Sequence, residues 1–450
     1  MPLFGAKGPV RAGRPARRQE VESNRLSPAD RAFHDWYRFV LSFPPHLVRD
    51  YVERFGLSRG DCVLDPFCGT GTTLVECKKL GLASVGMEAN PMGYLASQAK
   101  TDWAVDGDEM EGHARGVADA AGAELLKSGI RDEEFFGDRG AASAAPRVPL
   151  LRLPGDSAKL LLGNSISPLP LHKTLVLLGA LDRRRQDRLR RHELLALAKA
   201  LVTTIGNLHF GPEVGVGRIK PDSPVIAPWL ANVAQMADDL RRLGGPRQAE
   251  SRVFHADARA GCPQLPPKSV AAVITSPPYP NEKDYTRTTR LESVILGLVR
   301  DRRELRALKR GLMRSNTRNV YKGDDDDRWI AAVPEVHDLA ERIEARRLAL
   351  GKTSGFERMY ARVTKLYFGG MARHLAALRP ALRPDARLAY VVGDQASYLR
   401  VMIRTGQILA RIAETLGYQV VAIDLFRTRL ATATRQQLRE EVVILRWPGN

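Results

Sequence analysis

Cysteine is scarce in this 450-residue chain: Cys62, Cys68, Cys77 and Cys262 stand alone, widely spaced, with no C-x-x-C pair. That excludes a disulfide framework and a zinc-knuckle site, no metal is expected, and the compartment is predicted to be reducing. Long apolar runs are missing too. The stretches around Leu194 to Val202 and Val294 to Val299 fall well short of the roughly 20 residues that cross a bilayer, so neither a transmembrane helix nor a membrane partner is expected. The first 28 residues, rich in Arg, Gly and Pro, lack the apolar core of a secretory signal. Acidic residues are outnumbered, with 51 Asp and Glu against 69 Lys and Arg for a formal charge of +18. At 44% hydrophobic residues the chain is globular, and its cationic excess favours a polyanionic partner, nucleic acid ahead of a membrane surface.

Hydrophobic patterning divides the chain. Residues 1–30 read as a flexible basic arm. Within 31–105, Pro45 to Phe55 carries helical spacing, Cys62 to Asp65 is a short apolar strand, Thr72 to Lys79 a helix, and Ala83 to Met87 a second strand. This is a β-α-β unit. Residues 106–250 break the alternation with an inserted region that includes one strongly helical piece, Arg184 to Ile205. Strand patterning returns within 251–299, at Arg252 to His255 and Ser269 to Thr275. Residues 300–358 form a second insertion. The last part, 359–450, holds a helix over Tyr360 to Arg383, strands at Ala386 to Val392, Gln419 to Leu425 and Glu441 to Trp447, and a helix over Arg400 to Leu416. The expectation is one α/β domain with a seven-stranded Rossmann-like sheet, mostly parallel with the last strand antiparallel, interrupted by two largely helical insertions.

The turn Asp65-Pro66-Phe67-Cys68-Gly69-Thr70-Gly71-Thr72 follows the first strand, where a parallel sheet presents its ligand crevice. Gly69 and Gly71 let the backbone approach a bound molecule. Glu88, 17 residues beyond Gly71, ends the second strand, positioned to accept hydrogen bonds from both ribose hydroxyls of an adenosine-containing cofactor. The third glycine of a dinucleotide fingerprint is replaced by Leu74, which disfavours NAD.

The segment Thr275-Ser276-Pro277-Pro278-Tyr279 ends a strand with two prolines and an aromatic. The prolines lack N–H groups and stiffen the loop, leaving carbonyls to accept from an exocyclic amine, while Tyr279 offers a stacking face. Such an amine is a poor nucleophile because its lone pair is delocalised into the ring. Acceptors that draw both N–H bonds favour pyramidalisation, and Ser276 Oγ and the Pro277 carbonyl are the expected acceptors. Ring-carbon methylation of cytosine needs a thiolate in a Pro-Cys pair, and Cys262 precedes Pro263 in the reverse order; a structural role is expected for it.

The Asp-Pro-Phe-x-Gly-x-Gly turn resembles motif I of S-adenosylmethionine-dependent amino-methyltransferases, Gly86 to Pro91 resembles their acidic second motif, and Thr275 to Tyr279 closely resembles motif IV of the DNA N4-cytosine and N6-adenine enzymes. The resemblance covers roughly the core outside the insertions. It implies S-adenosylmethionine as cofactor, held by Phe43, Asp65, Phe67, Gly69, Gly71, Thr72, Glu88, Asn90 and Asp257, the last at the adenine amine. It implies catalysis at Ser276, Pro277, Pro278 and Tyr279 on a base flipped from double-stranded DNA, with Asn281, Asp284 and Tyr285 flanking that base. The serine form of the loop leans to cytosine N4. Also implied are a prokaryotic cytoplasmic, nucleoid-associated setting and a cognate restriction endonuclease. Adenine N6, an RNA substrate and a degenerate nucleic-acid-binding scaffold stay open as alternatives.

The insertions are candidates for reading DNA. Asp182 to His192 concentrates arginine, including Arg184 and Arg188, and Arg300 to Lys322 repeats the bias, with Arg314 and Arg318; both runs suit phosphate contact or a solvated helix face. Asp324 to Asp327 lacks the pattern of a calcium loop and reads as a solvated turn. Phe210 to Gly217 reads as a structured loop.

Overall fold

The computed structural model describes residues 26–38, 43–132, 148–211, 213–245, 249–281, 283–430 and 437–449. Most of the expected basic arm, residues 1–25, lies outside the described residues; where the description begins, Ser27 caps a single turn, Pro28–Asp30.

Seven strands build the main sheet: β1 (Cys62–Asp65), β2 (Ala83–Met87), β5 (Ser251–Phe254), β6 (Val270–Thr275), β7 (Leu382–Gly393), β8 (Gln419–Leu430) and β9 (Gln437–Arg446). A separate antiparallel hairpin pairs β3 (Leu208–Phe210) with β4 (Val214–Val216). The order in the main sheet is β5-β2-β1-β6-β7-β9-β8. All neighbouring pairs are parallel except those of β9, which runs antiparallel to both β7 and β8. The expected fold class is therefore the one observed. Chain order reverses between β1 and β6, the switch point at which an open α/β sheet leaves a crevice.

Strict alternation explains how the sheet is covered on both faces. Leu64, Val273, Leu388, Tyr390, Val443 and Leu445 face one helical layer that includes Tyr360–Leu378 and Thr405–Thr415. Their neighbours Val63, Ile274, Ala389, Val391, Val442 and Ile444 face the other, which includes Pro45–Arg54.

Residues 106–250 are more helical than the sequence suggests. Gly107–Lys127, Pro168–Arg183, Asp187–Ala200 and Ile226–Leu243 are all helices, and the expected Arg184 to Ile205 helix begins at Asp187 and closes in a π turn, Leu201–Ile205. Scattered glycines and prolines hid the others, because Gly lowers helix propensity while Pro is tolerated in a first turn, as at Pro168. This unit packs on Phe33, Trp36 and the helix Pro91–Thr101 through a core that includes Leu177, Leu197 and Trp229. The Phe210 to Gly217 loop is the tip and second strand of the β3–β4 hairpin, with Pro212 outside the described residues.

Residues 300–358 carry two helices, Arg302–Gly311 and Pro334–Ala349. The acidic run between them is a correction to the solvated-turn expectation. Asp326 is 4% exposed and receives Arg259 at 2.5 Å and Arg373 at 3.0 Å, while Asp324 takes Arg314 through both carboxylate oxygens at 2.8 Å. Two of the four acids are internal counter-ions, and the arginines that pair with them lie elsewhere in the chain.

Candidate functional site

At the switch point β1 and β6 run side by side, Leu64 opposite Val273. Thr275 Oγ1 donates to Asp65 Oδ1 at 2.6 Å, and the same oxygen accepts from the Phe67 N–H at 3.1 Å. Thr73 Oγ1 donates to the Ile274 carbonyl at 3.1 Å. These bonds tie the root of the glycine turn to the root of the Ser-Pro-Pro-Tyr loop, 210 positions apart. The other Asp65 oxygen is buried without a partner among the described residues, and burial pushes the carboxyl up to about 6.

Above that root lies a cavity of about 160 Å3 whose lining includes both loops. Phe43, Phe67, Gly69, Thr72, Glu88, Asn90 and Asp257, all expected at the cofactor, line one part of it; Ser276, Pro277, Pro278, Tyr279 and Tyr285 line it from the Ser-Pro-Pro-Tyr loop and its continuation. Asp65 and Gly71, also expected at the cofactor, are not among its lining residues. Gly71 has φ +86°, and a Cβ there would sit 3.1 Å from Ser97 Cβ, so glycine is required both by conformation and by space.

Glu88 Oε2 accepts from the Gly69 N–H at 2.8 Å and Oε1 from the Asn90 N–H at 2.7 Å. Burial pushes this carboxyl up to about 7 against those two donors, which favour its charged form. Asn90 caps the helix Pro91–Thr101 through the Met92 N–H. Beside Glu88, a Cβ on Gly93 would lie 3.0 Å from both Glu88 Cγ and the Gly69 carbonyl, which leaves the acid packed against the turn. Asp257 departs from the simple expectation: its carboxylate is engaged by the Arg259 side chain at 2.7 and 3.1 Å and by the Arg259 N–H at 2.9 Å. It still lines the cavity and keeps lone pairs for a further donor.

In the Ser-Pro-Pro-Tyr loop, Ser276 Oγ donates to the Val391 carbonyl at 3.2 Å, leaving its own lone pairs as acceptors. The Pro278 carbonyl is taken by Tyr367 Oη at 2.8 Å, so the loop is held from below. The Tyr279 ring lies over Gly393, where a Cβ would be 2.9 Å from Cε2.

Several expected contacts are placed elsewhere. Asp284 is buried, caps Tyr285–Thr288 and pairs with Lys309 Nζ at 2.7 Å. Asn281 is buried and accepts from the Lys283 N–H. Neither lines the cavity, because both have become struts of the loop. Arg314 is buried between Asp324 and the carbonyls of Lys309, Arg310 and Leu312, so it is an internal cation with no reach to a phosphate. Arg318 is exposed over the Phe356 ring. Arg184 and Arg188 are exposed on the first insertion, away from the cavity lining, Arg188 lying 3.4 Å from Glu109. Cys262 is partly buried with a thiol pushed up to about 12 by burial, consistent with a structural role.

Sequence reasoning missed a third wall. Gly311, Leu312, Met313 and Asn319 of the second insertion also line the cavity. Nothing in their spacing signals this; the anchoring of Arg310 and Asp326 on Arg259 helps to bring them there.

Seven strands in this order, with the last one reversed, define an α/β methyltransferase-like fold. A family model described as DNA methylase, of the N6/N4 type, matches residues 17–98. The chain is 25% identical over 452 residues to the type II methyltransferase M.BsoBI of Geobacillus stearothermophilus, covering 93% of this chain and 84% of that relative. It is 22% identical over 457 residues to the type II methyltransferase M.AvaI of a Nostoc species, covering 92% and 86%. A shorter likeness, 35% over 92 residues, joins it to the tRNA (guanine(10)-N2)-dimethyltransferase of Methanothermobacter thermautotrophicus, covering 20% of this chain and 23% of that relative. These likenesses support an S-adenosylmethionine-dependent DNA amino-methyltransferase family for this chain. S-adenosylmethionine is the cofactor this implies, and the cavity fits it, with a carboxylate at the glycine turn, apolar walls at Phe67, Met87, Leu312 and Met313, and close backbone at Gly69.

Proposed function

We propose that this protein is a site-specific DNA methyltransferase that modifies the N4 amine of a cytosine flipped out of double-stranded DNA. One observation carries the reading: the glycine turn with Glu88 and the Ser276 to Tyr279 loop line the same cavity. Bound S-adenosylmethionine supplies a methyl group on an activated sulfonium. Glu88, Gly69 and Asp257 hold the cofactor at one side. Tyr279 stacks on the extruded base, while Ser276 Oγ and the Pro277 carbonyl accept hydrogen bonds from the amine N–H groups and orient its lone pair; as the N–C bond replaces the S–C bond, a thioether leaves and the amine sheds one proton to solvent. Among the described residues no donor occupies the Pro277 carbonyl. No strong general base is required, because positioning of a weak nucleophile against a reactive donor does most of the work.

The choice of cytosine N4 rests on the serine form of the loop. Adenine N6 shares the same geometry and is the second reading. An RNA substrate is supported only by the short likeness that covers a fifth of the chain. A scaffold without activity is disfavoured by the intact lining. Two full-length likenesses to type II methyltransferases support a restriction-modification setting with a cognate endonuclease. DNA engagement falls to the two insertions, and the helix Arg302–Gly311 is the better candidate for phosphates: none of its residues is buried, Arg302, Arg303 and Arg306 are exposed, and its end runs into the cavity wall at Gly311. Incubating the purified protein with labelled cofactor and duplex DNA, then resolving the nucleosides by mass spectrometry, tests the reading. N4-methylcytosine is expected; N6-methyladenine moves the target atom, and label found only in RNA rejects the DNA assignment.

A further inference from the structure

Asn319 is 1% exposed and lines the cavity, yet its Oδ1 is buried without a partner and its amide enters no hydrogen bond among the described residues. A carboxamide oxygen left unpaired in an interior wall is costly, and the amide beside it is left free to meet a ligand in the cavity. Its backbone is not free to relax: Asn319 N–H donates to the Asn316 carbonyl at 3.3 Å, Asn316 Nδ2 donates to the Lys283 carbonyl at 2.9 Å, and Tyr398 Oη holds the Ser315 carbonyl at 2.9 Å. The turn that carries Asn319 is thus fastened to the catalytic loop at Lys283.

The chemistry of that loop shows what is missing. Pro277 and Pro278 have no N–H, the Ser276 hydroxyl proton is given to Val391, and the Pro278 carbonyl is occupied by Tyr367. Ser276, Pro277 and Pro278 therefore offer acceptors for an exocyclic amine and no free donor for its neighbour. A cytosine presents, next to its amine, a ring N3 that accepts. Against the Ser276 to Pro278 face alone, that nitrogen would be desolvated and unpaired on entering the cavity.

We infer that Asn319 supplies this donor, its amide N–H₂ meeting the ring nitrogen beside the amine of the extruded base, so that the second insertion completes base recognition across from Ser276 to Tyr279. The inference rests on the base-flipping reading above. It makes Asn319 a substrate-contacting residue, and it gives a purpose to the anchoring of Asn316 on the catalytic loop.

The test pairs a variant with a base analogue. Asn319→Ala and wild type are assayed on duplexes carrying cytosine or 3-deazacytosine at the target, with cofactor affinity measured alongside by calorimetry. Loss of a buried hydrogen bond predicts a fall of about tenfold to a hundredfold in kcat/KM for Asn319→Ala on cytosine. Wild type falls by a similar factor on 3-deazacytosine, Asn319→Ala shows no further loss on the analogue, and its cofactor affinity equals that of wild type. Asn319→Asp, which offers only acceptors, behaves as Asn319→Ala does. Independent, multiplying losses overturn the inference, as does a drop in cofactor affinity or full activity of Asn319→Ala on cytosine. If wild type marks adenine, the target-atom reading fails by itself, and the same comparison with 1-deazaadenine decides Asn319 by the same outcomes.

Discussion

Tyr279 is held in a narrow slot between the base-facing space of the cavity and Gly393, whose missing side chain is what lets the ring lie flat there. Base-on-aromatic stacking contributes about 1–3 kcal/mol, so Tyr279→Ala is expected to lower kcat/KM for DNA about tenfold to a hundredfold with cofactor affinity intact, as steady-state kinetics and calorimetry will show. Unchanged turnover removes Tyr279 from the mechanism. Glu88 sets a pH dependence. Its carboxyl sits near 7, while ribose hydroxyls donating to it favour the ionised form. Cofactor binding therefore releases a proton below that pH, and affinity rises as pH climbs toward about 7 and levels off above it. Calorimetry in two buffers of different ionisation enthalpy measures the proton, and Glu88→Gln is expected to bind more weakly with a flat profile.

Elements from distant parts of the chain meet at Arg259. Its guanidinium, 6% exposed, joins Asp257 after β5 to Asp326 of the second insertion and to the Arg310 carbonyl. Removing one partner of a buried ion pair costs about 3–5 kcal/mol, so Asp326→Ala is expected to lower the denaturation midpoint markedly and to loosen the Gly311 to Met313 wall, read as weaker cofactor binding. The helix Arg302–Gly311 gives a cleaner test of DNA contact because Arg302, Arg303 and Arg306 are exposed on it. Replacing Arg302, Arg303 and Arg306 with Gln is expected to leave stability unchanged and to flatten the salt dependence of DNA binding. Each lost phosphate contact reduces the slope of log K against log salt by about 0.9. An unchanged slope places the phosphates elsewhere.

For the whole molecule, the sheet was legible because strand alternation, the glycine turn and the acid after β2 are local signals. All seven core strands lie where the apolar runs put them, with β7 to β9 longer than expected because their charged ends continue pairing beyond the apolar centre. The convergence of the two loops was readable from fold logic, since both follow adjacent strands at the switch point. What was not legible depended on partners remote in sequence: Arg314 and Asp326 look like surface charges until each is seen to face the other sign inside the protein, and Leu312 or Asn319 carry no local mark of a binding wall. Buried acids give a global consequence. Burial raises Asp65 from an ordinary 3.8 to about 6 and Glu292 from 4.5 to about 7. The native state keeps protons there that the unfolded chain has released, so this contribution is fully present below pH 4 and is lost as pH rises through 6 and 7. Urea unfolding at pH 5 and pH 8 will measure it, and Glu292→Gln is expected to reduce the difference.

The walls of the cavity come from three stretches of chain, near Phe43 to Asn90, Ala256 to Tyr285 and Gly311 to Asn319, and Tyr279 leans on a glycine more than a hundred positions later. A chain still emerging from the ribosome has the cofactor turn early but no finished chamber until that late glycine arrives. Synthesis thus imposes its own timing: the chamber is complete only after Gly393 has been made and packed against Tyr279.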